Sequence, residues 1–315
     1  ELSNGIEVLG AVNDETPTTT IRIRMKVGQS HDPLDKLGLA TNLAQYLNDA
    51  GTQNSSAEDL SNRLSKLGSS VRFSAGDEFT NVSIRTLTKN LDATMAIAME
   101  KMFEPSFNAE DFGRLKGQTI EGIKSSKKQA GSVASETFWR RVYGDDNPVS
   151  WNGSGTVATV ENTTLADYEA FYKAHYSPKI ASVIAVSDLG EKDIAKTLSG
   201  LSDWTGPQVA AVADKAYPAL AGKTIYFVNK DGAAQSQIRI GKRALPYDAT
   251  GEFYRAGLMN YILGGAFNSR INLNLREDKG YTYGARSYFD GEETRGAYVA
   301  SSGVRADSTA ASITE

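Results

Sequence analysis

The 315-residue chain contains no cysteine and only two histidines, His31 and His175. Without cysteine there can be no disulfide, no thiolate metal site and no cysteine nucleophile. That absence fits the cytoplasm and a bacterial periplasm equally. The two histidines fall in a loop after a strand and near a predicted helix end, and neither has a second ligand close to it in sequence. A histidine so placed is a surface or capping residue far more often than a ligand. Long apolar runs are also missing. The longest, 180–186, falls far short of the roughly 20 residues that a membrane-spanning helix needs, and no stretch reads as a signal peptide. A net charge of −4 offers no positive excess for nucleic acid. The one lysine cluster, Lys124, Lys127 and Lys128, reads as the wet face of a helix. No nucleophile-elbow glycine pattern follows a strand, which argues against a serine triad, and no G-x-x-x-x-G-K loop supports a nucleotide.

What is present suits a globular protein: 40% hydrophobic and 23% charged residues, in a length sufficient for two domains with separate cores. The chain opens at Glu1 without methionine and runs straight into strand-like sequence, which reads as a cut from something longer.

Ile6 and Val8, then Ile21, Ile23, Met25 and Val27, alternate as half-buried strands do. The turn chemistry of 13–17 between them predicts a hairpin. A helix is predicted over 35–50, with Leu39, Leu43, Tyr46 and Leu47 on one stripe, and a second over 57–67 ending at Gly68. Strands follow at 69–74 and 79–86, then helices over 91–103 and 109–142, the latter the longest. Thr164 opens a further helix, with Asp167 completing a capping box. Residues 179–186 read as a buried strand. The stretch 205–220, with two prolines and no apolar period, reads as a linker. Beyond it the opening theme returns. Residues 225–228 and 237–240 repeat the hairpin, including the same Ile-Arg-Ile triplet (238 − 21 = 217), and 253–263 repeats the first helix with Tyr261 placed like Tyr46 (261 − 46 = 215). A near-constant offset points to duplication, with chance similarity of two amphipathic hairpins as the alternative. The expected domains are 1–204, a linker at 205–220, and 221–315 as an incomplete second copy.

The stretch Leu-Arg-Glu-Asp-Lys-Gly-Tyr-Thr-Tyr-Gly at 275–284 carries the most chemistry. Arg276 lies near a helix end, Gly280 breaks the helix, and a strand follows that carries Tyr281 and Tyr283. A guanidinium fork and a phenol brought together by such a turn can grip a peptide carbonyl, and grip it harder as an oxyanion. The bland alternative is a salt-bridged arginine and a core aromatic. Tyr281, expected on the same strand face as Tyr283, is the substitute candidate. Gly264-Gly265 with 267–270 reads either as an anion cradle at the next helix's N-terminus or as a structural loop ahead of the helix that carries Arg276.

These residues are similar to the pitrilysin/insulinase family of zinc metallopeptidases. The similarity runs from Leu2-Ser3-Asn4-Gly5-Ile6 through Val27-Gly28, Gly38-Leu39-Ala40 and Gly51-Thr52 to Phe171-Tyr172 and His175-Tyr176-Ser177-Pro178. It is strongest across Leu263-Gly264-Gly265, Asn268-Ser269-Arg270, Leu275-Arg276-Glu277 and Tyr283-Gly284. The family holds zinc with an inverted H-x-x-E-H helix, in which two histidines share a face and a glutamate polarises water, plus a distant glutamate. Here the histidine positions hold Thr41 and Gln45, the catalytic glutamate position holds Ala44, and Glu121 falls near the third ligand. Neither threonine nor glutamine is a usual zinc ligand, and alanine cannot act as a base. No metal or cofactor is therefore expected in this chain.

The resemblance implies an α+β fold: two homologous domains, each a mostly antiparallel sheet of five or six strands with helices on one face. It implies that Arg276 and Tyr283 bind the scissile carbonyl of a peptide or small unfolded protein held at the zinc of a homologous half or subunit. Inactivity alone, and a periplasmic or envelope location in a bacterium, are the matching expectations, the cytoplasm remaining open. The rival reading is a scaffold homologue with no part in proteolysis.

Overall fold

The computed structural model describes residues 1–213, 216–219 and 222–315. Two compact units emerge, Glu1–Ile123 with Asn152–Asp214, and Lys124–Trp151 with Lys215–Glu315. Both are α+β, as expected. The division differs from the expected 1–204 and 221–315, because 124–151 groups with the second unit and the expected linker is shared between the two.

The first unit is a five-stranded sheet of β1 (Glu7–Val12), β2 (Thr18–Met25), β3 (Ser70–Ala75), β4 (Thr80–Leu87) and β5 (Ala181–Ser187), ordered β1-β5-β2-β4-β3. Only β1 and β5 run parallel. Alternation sets the buried face. Ile21, Ile23, Met25, Val82, Ile84 and Val183 are fully buried, while Arg22 and Arg85 between them are exposed. Helix α1 (Leu39–Asp49) lays its predicted stripe of Leu39, Leu43, Tyr46 and Leu47 into this core. It starts later than expected, because Gly38 sits at φ 95°, where its backbone crowds the Ser154 carbonyl and a Cβ has no room. Helix α2 (Ala57–Leu67) is capped by Ser56 and stopped by left-handed Gly68, and α3 (Leu91–Phe103) matches its expected bounds.

The single helix expected over 109–142 is in fact two, α4 (Ala109–Lys127) and α5 (Ala130–Tyr143). The break follows from tightened turns, in which the Lys128 and Gln129 N–H groups donate to Ser125 and Ser126, three residues back. The reason α5 leaves the first unit is its aromatic stripe. Phe138, Trp139, Val142 and Tyr143 pack with Ala297 and Val299 of the second unit. Helices α6 (Val157–Asn162), α7 (Leu165–His175) and α8 (Glu191–Leu198) return to the first. At α7 the capping box is present, with Thr164 and Asp167 each accepting the other's backbone N–H.

The expected hairpin of the first two strands does not form. Strand β5 lies between them, parallel to β1 and antiparallel to β2. Its Val183 and Ala185 are buried, so the most apolar strand takes a central place and displaces the local pairing. The 205–220 stretch is not one free linker. Its first part is held to the first unit by the Ser177 hydroxyl, which donates to the Pro207 carbonyl at 2.6 Å. Residues 214, 215 and 220 of that expected linker, and 221 of the expected second copy, lie outside the described residues.

The second unit contains β6 (Gln235–Arg243), β7 (Thr282–Gly291) and β8 (Gly296–Arg305), antiparallel in the order β6-β8-β7. Between β6 and β7 come α9 (Glu252–Asn260), running into a π-helical turn Tyr261–Gly265, and α10 (Arg270–Asn272), running into a second π-helical turn Leu273–Asp278. Helix α11 (Thr309–Thr314) follows β8. The order strand, two helices, two strands is that of β2, α1, α2, β3 and β4, and the sheet orders β2-β4-β3 and β6-β8-β7 correspond. The expected second hairpin is absent, however, because 225–228 forms no strand and Ile225 and Phe227 are each 82% exposed. The equivalent strand β1 bonds to β5 alone, and no strand of that kind stands beside 225–228 among the described residues. Tyr261, placed by sequence like fully buried Tyr46, is 64% exposed.

Candidate functional site

Arg276 lies on the second π-helical turn, a form that recurs at functional sites because it re-aims side chains. The turn ends as expected at Gly280, with φ 65°, where the Gly280 N–H donates to the Arg276 carbonyl at 3.1 Å and the Tyr281 N–H to the Leu275 carbonyl at 2.9 Å. The guanidinium carbon stands 4.7 Å from the centre of the Phe267 ring, a cation–π distance. Its Nη1 lies 3.5 Å from Glu277 Oε1, an ion pair without hydrogen-bond geometry, and among the described residues this buried nitrogen makes no hydrogen bond. A buried N–H without an acceptor is uncommon and asks for a reason.

Tyr283 is 89% exposed, which removes the reading of it as a core aromatic. Its presentation comes from a bulge. Between Thr282↔Val304 and Ala285↔Ser302, β7 advances three residues and β8 two, so one extra residue turns the backbone outwards. The Thr282 hydroxyl lies 2.7 and 2.9 Å from the Gly303 and Gly284 carbonyls, its single proton serving one of them at a time, and the Ser302 hydroxyl lies 3.0 Å from the Gly284 carbonyl. Strand β7 starts at Thr282, so simple alternation does not relate Tyr281, half-buried ahead of the strand, to Tyr283.

Four side chains of this unit, Phe267, Asn260, Ser287 and Asn272, had no individual role assigned to them from the sequence. Phe267 is 71% exposed beneath the guanidinium. Asn260 and Ser287 exchange hydrogen bonds at 2.6 and 2.7 Å in a buried link. Asn272 is 4% exposed, donating to the Phe267 carbonyl at 2.6 Å and accepting the Ala285 N–H at 2.9 Å. The available signal was an asparagine inside a helical apolar run, where it is disfavoured unless its amide is used. Gly264 is structural, packed where a Cβ would strike Ser287. Residues 267–270 lead into α10 and the π-helical turn that carries Arg276.

In the first unit the degenerate zinc positions do not fit the metal. Thr41 is half-buried, Ala44 is 2% exposed within the hydrophobic core, and exposed Gln45 donates to Asp49. A carboxylate at position 44 would sit among apolar side chains, and threonine and glutamine offer zinc no strong donor. Glu121 is exposed on α4. Among the described residues no group of three or more histidine, aspartate or glutamate side chains is placed to hold a metal ion. The fold does bring the two histidines together, which sequence distance concealed. Their ring centres are 5.2 Å apart, edge to face. Burial first, then the neighbouring His175, pushes His31 down to about 4, and burial lowers His175 as well. Both are therefore neutral packing residues at physiological pH.

Elsewhere, Arg140 and Arg141 border a cleft of about 390 Å³ with Tyr217 and Tyr226. Asp145 already pairs with both arginines, at 2.7 and 2.8 Å. Among the described residues no helix is long and apolar enough to cross a membrane.

An α+β scaffold whose first helix carries Thr41, Ala44 and Gln45 at the zinc-motif positions, and whose second unit carries Arg276 and Tyr283, is metallopeptidase-like. Residues 8–147 match the family model described as insulinase (peptidase family M16), and 162–315 match that described as peptidase M16 inactive domain. The chain belongs to the M16, or pitrilysin/insulinase, family, as a homologue of zinc proteases that lacks the zinc motif. It is 23% identical to an uncharacterized zinc protease of Streptomyces coelicolor, over 96% of this chain and 67% of that protein. It is 22% identical to the non-peptidase homolog YmxG of Helicobacter pylori, over 88% and 63%. Among solved structures it resembles a peptidase M16 inactive domain from Pseudomonas fluorescens, with 25% identity, a TM-score of 0.87 and coverage of 97% of this chain and 74% of that one. The fold is also that of the periplasmic protease PqqL from Escherichia coli, at 15% identity and a TM-score of 0.79, over 99% of this chain and 34% of PqqL.

Proposed function

We propose that this chain is the half of a two-part zinc endopeptidase that carries no zinc. It binds an extended peptide or small unfolded protein and donates hydrogen bonds from Arg276 and Tyr283 to the scissile carbonyl. The zinc belongs to a homologous half or subunit bearing the H-x-x-E-H helix, and no step of metal chemistry occurs on this chain. The observation that supports this most is an exposed phenol on a bulge and, in the same unit, a guanidinium whose buried Nη1 makes no hydrogen bond among the described residues, in a family whose chemistry needs both. Free edges at β1 and β3, and at β6 and β7, would hold peptide by strand addition, which gives affinity with modest sequence preference. A periplasmic location is consistent with the absence of cysteine and with the PqqL fold.

Tyr283→Phe removes one donor and nothing else. Assayed with the zinc-bearing partner, it should lower turnover by about 10²-fold while co-purification with that partner is unchanged. Unaltered turnover would remove Tyr283 from the chemistry. The scaffold reading draws on the similarity to a non-peptidase homolog. It requires that a complex recovered by pull-down cleave no peptide at all.

A further inference from the structure

Asn272 connects the two halves of the Arg276–Tyr283 presentation through one buried carboxamide. Its Nδ2 donates to the Phe267 carbonyl, holding the loop whose ring lies under the Arg276 guanidinium. Its Oδ1 accepts the Ala285 N–H, the first amide after the bulge that turns Tyr283 outwards. A buried amide costs desolvation unless both ends are bonded. Here the bonds reach back 5 residues and forward 13, so they tie loop, helix and strand rather than the helix to itself. An apolar side chain of the same size would fill the space and leave the Phe267 carbonyl and the Ala285 N–H without partners. The geometry points to Asn272 as a positioning residue that sets guanidinium and phenol relative to each other. This rests on the proposed role of that pair.

The test is amide hydrogen exchange on the full chain carrying Asn272→Leu. Segments 266–269 and 282–286 should both exchange about tenfold faster or more, with 235–243 and 297–301 unchanged. Unchanged exchange in either of the first two segments overturns the inference, and so does acceleration throughout the unit. Should the leucine variant fail to fold, Asn272→Asp keeps the acceptor and loses the donor. It should then restore protection at 282–286 and leave 266–269 fast; equal behaviour of the two segments overturns the inference. With the zinc-bearing partner, Asn272→Leu should lower kcat by about tenfold or more at unchanged KM, and cost less when added to Tyr283→Phe than by itself. Full additivity would mark it as merely structural. If Tyr283→Phe has no effect, the role proposed for the pair fails, and the exchange result still decides what Asn272 holds in place.

Discussion

At Asp32 a carboxylate sits where water hardly reaches. It is 4% exposed and accepts the N–H groups of Gly38 and Ala40, at 2.8 and 2.9 Å, at the start of α1. Burial pushes its carboxyl up to about 7, against the opposite pull of those N–H groups. A folded pKa above the unfolded value of about 3.9 means that the unfolded chain loses this proton first as pH rises. Asp32 therefore takes stability away between about pH 4 and 7 and changes nothing above that. His31 has the opposite sign: its folded value of about 4 lies below the usual 6.5, so its contribution is complete above pH 6.5 and is lost as pH falls towards 4. Urea unfolding across pH should separate the two. The penalty of Asp32→Asn should be greatest near pH 4 and shrink by pH 8. The penalty of His31→Asn should be greatest at pH 8 and shrink towards pH 4. Parallel curves for variant and parent would show that neither group titrates as described.

Among the elements, α5 shows how composition and placement separate. Its 14 residues continue the helical pattern of α4 with only a two-residue break, so periodicity alone joins them. Val142 and Tyr143, 3% and 5% exposed, nevertheless belong to the core of the second unit with Ala297 and Val299. Val142→Ala removes two methyl groups from that core and should cost about 2 kcal/mol. Exchange protection should fall in 297–304 and stay intact in 181–187. Loss in the first sheet instead would place α5 with the wrong unit. The elements best legible in the sequence were those whose signals are local. Leu91–Phe103 and Ala57–Leu67 have their expected bounds, and Thr164 and Asp167 form their capping box. Strand pairing was not legible, since β5 reaches its place between β1 and β2 from more than 150 residues away. Nothing local at 13–17 can announce a neighbour that distant.

For the whole molecule, the decisive expectation concerns what the chain cannot do alone. A zinc helix whose ligand positions are Thr41 and Gln45, with Ala44 packed in the core, should leave the purified chain without peptidase activity at any added zinc concentration. Cleavage should begin when a zinc-bearing relative is mixed in, and titrate to one equivalent of this chain. Cleavage by this chain alone would overturn the proposed division of labour.

By itself, the sequence determined the α+β class, the helices with local caps, the family and the loss of the zinc ligands. The helices are written in periodicity and capping residues, and the class, the family and the lost ligands in the motifs that carry the family resemblance. Only the tertiary structure decided that Tyr283 faces solvent on a bulge, that Arg276 lies on Phe267, that Asn272 braces both, and that His31 meets His175. The physical reason is range. A cap or an amphipathic stripe is complete within a few residues, whereas a bulge exists only relative to the partner strand, and a ring contact only once distant segments have packed.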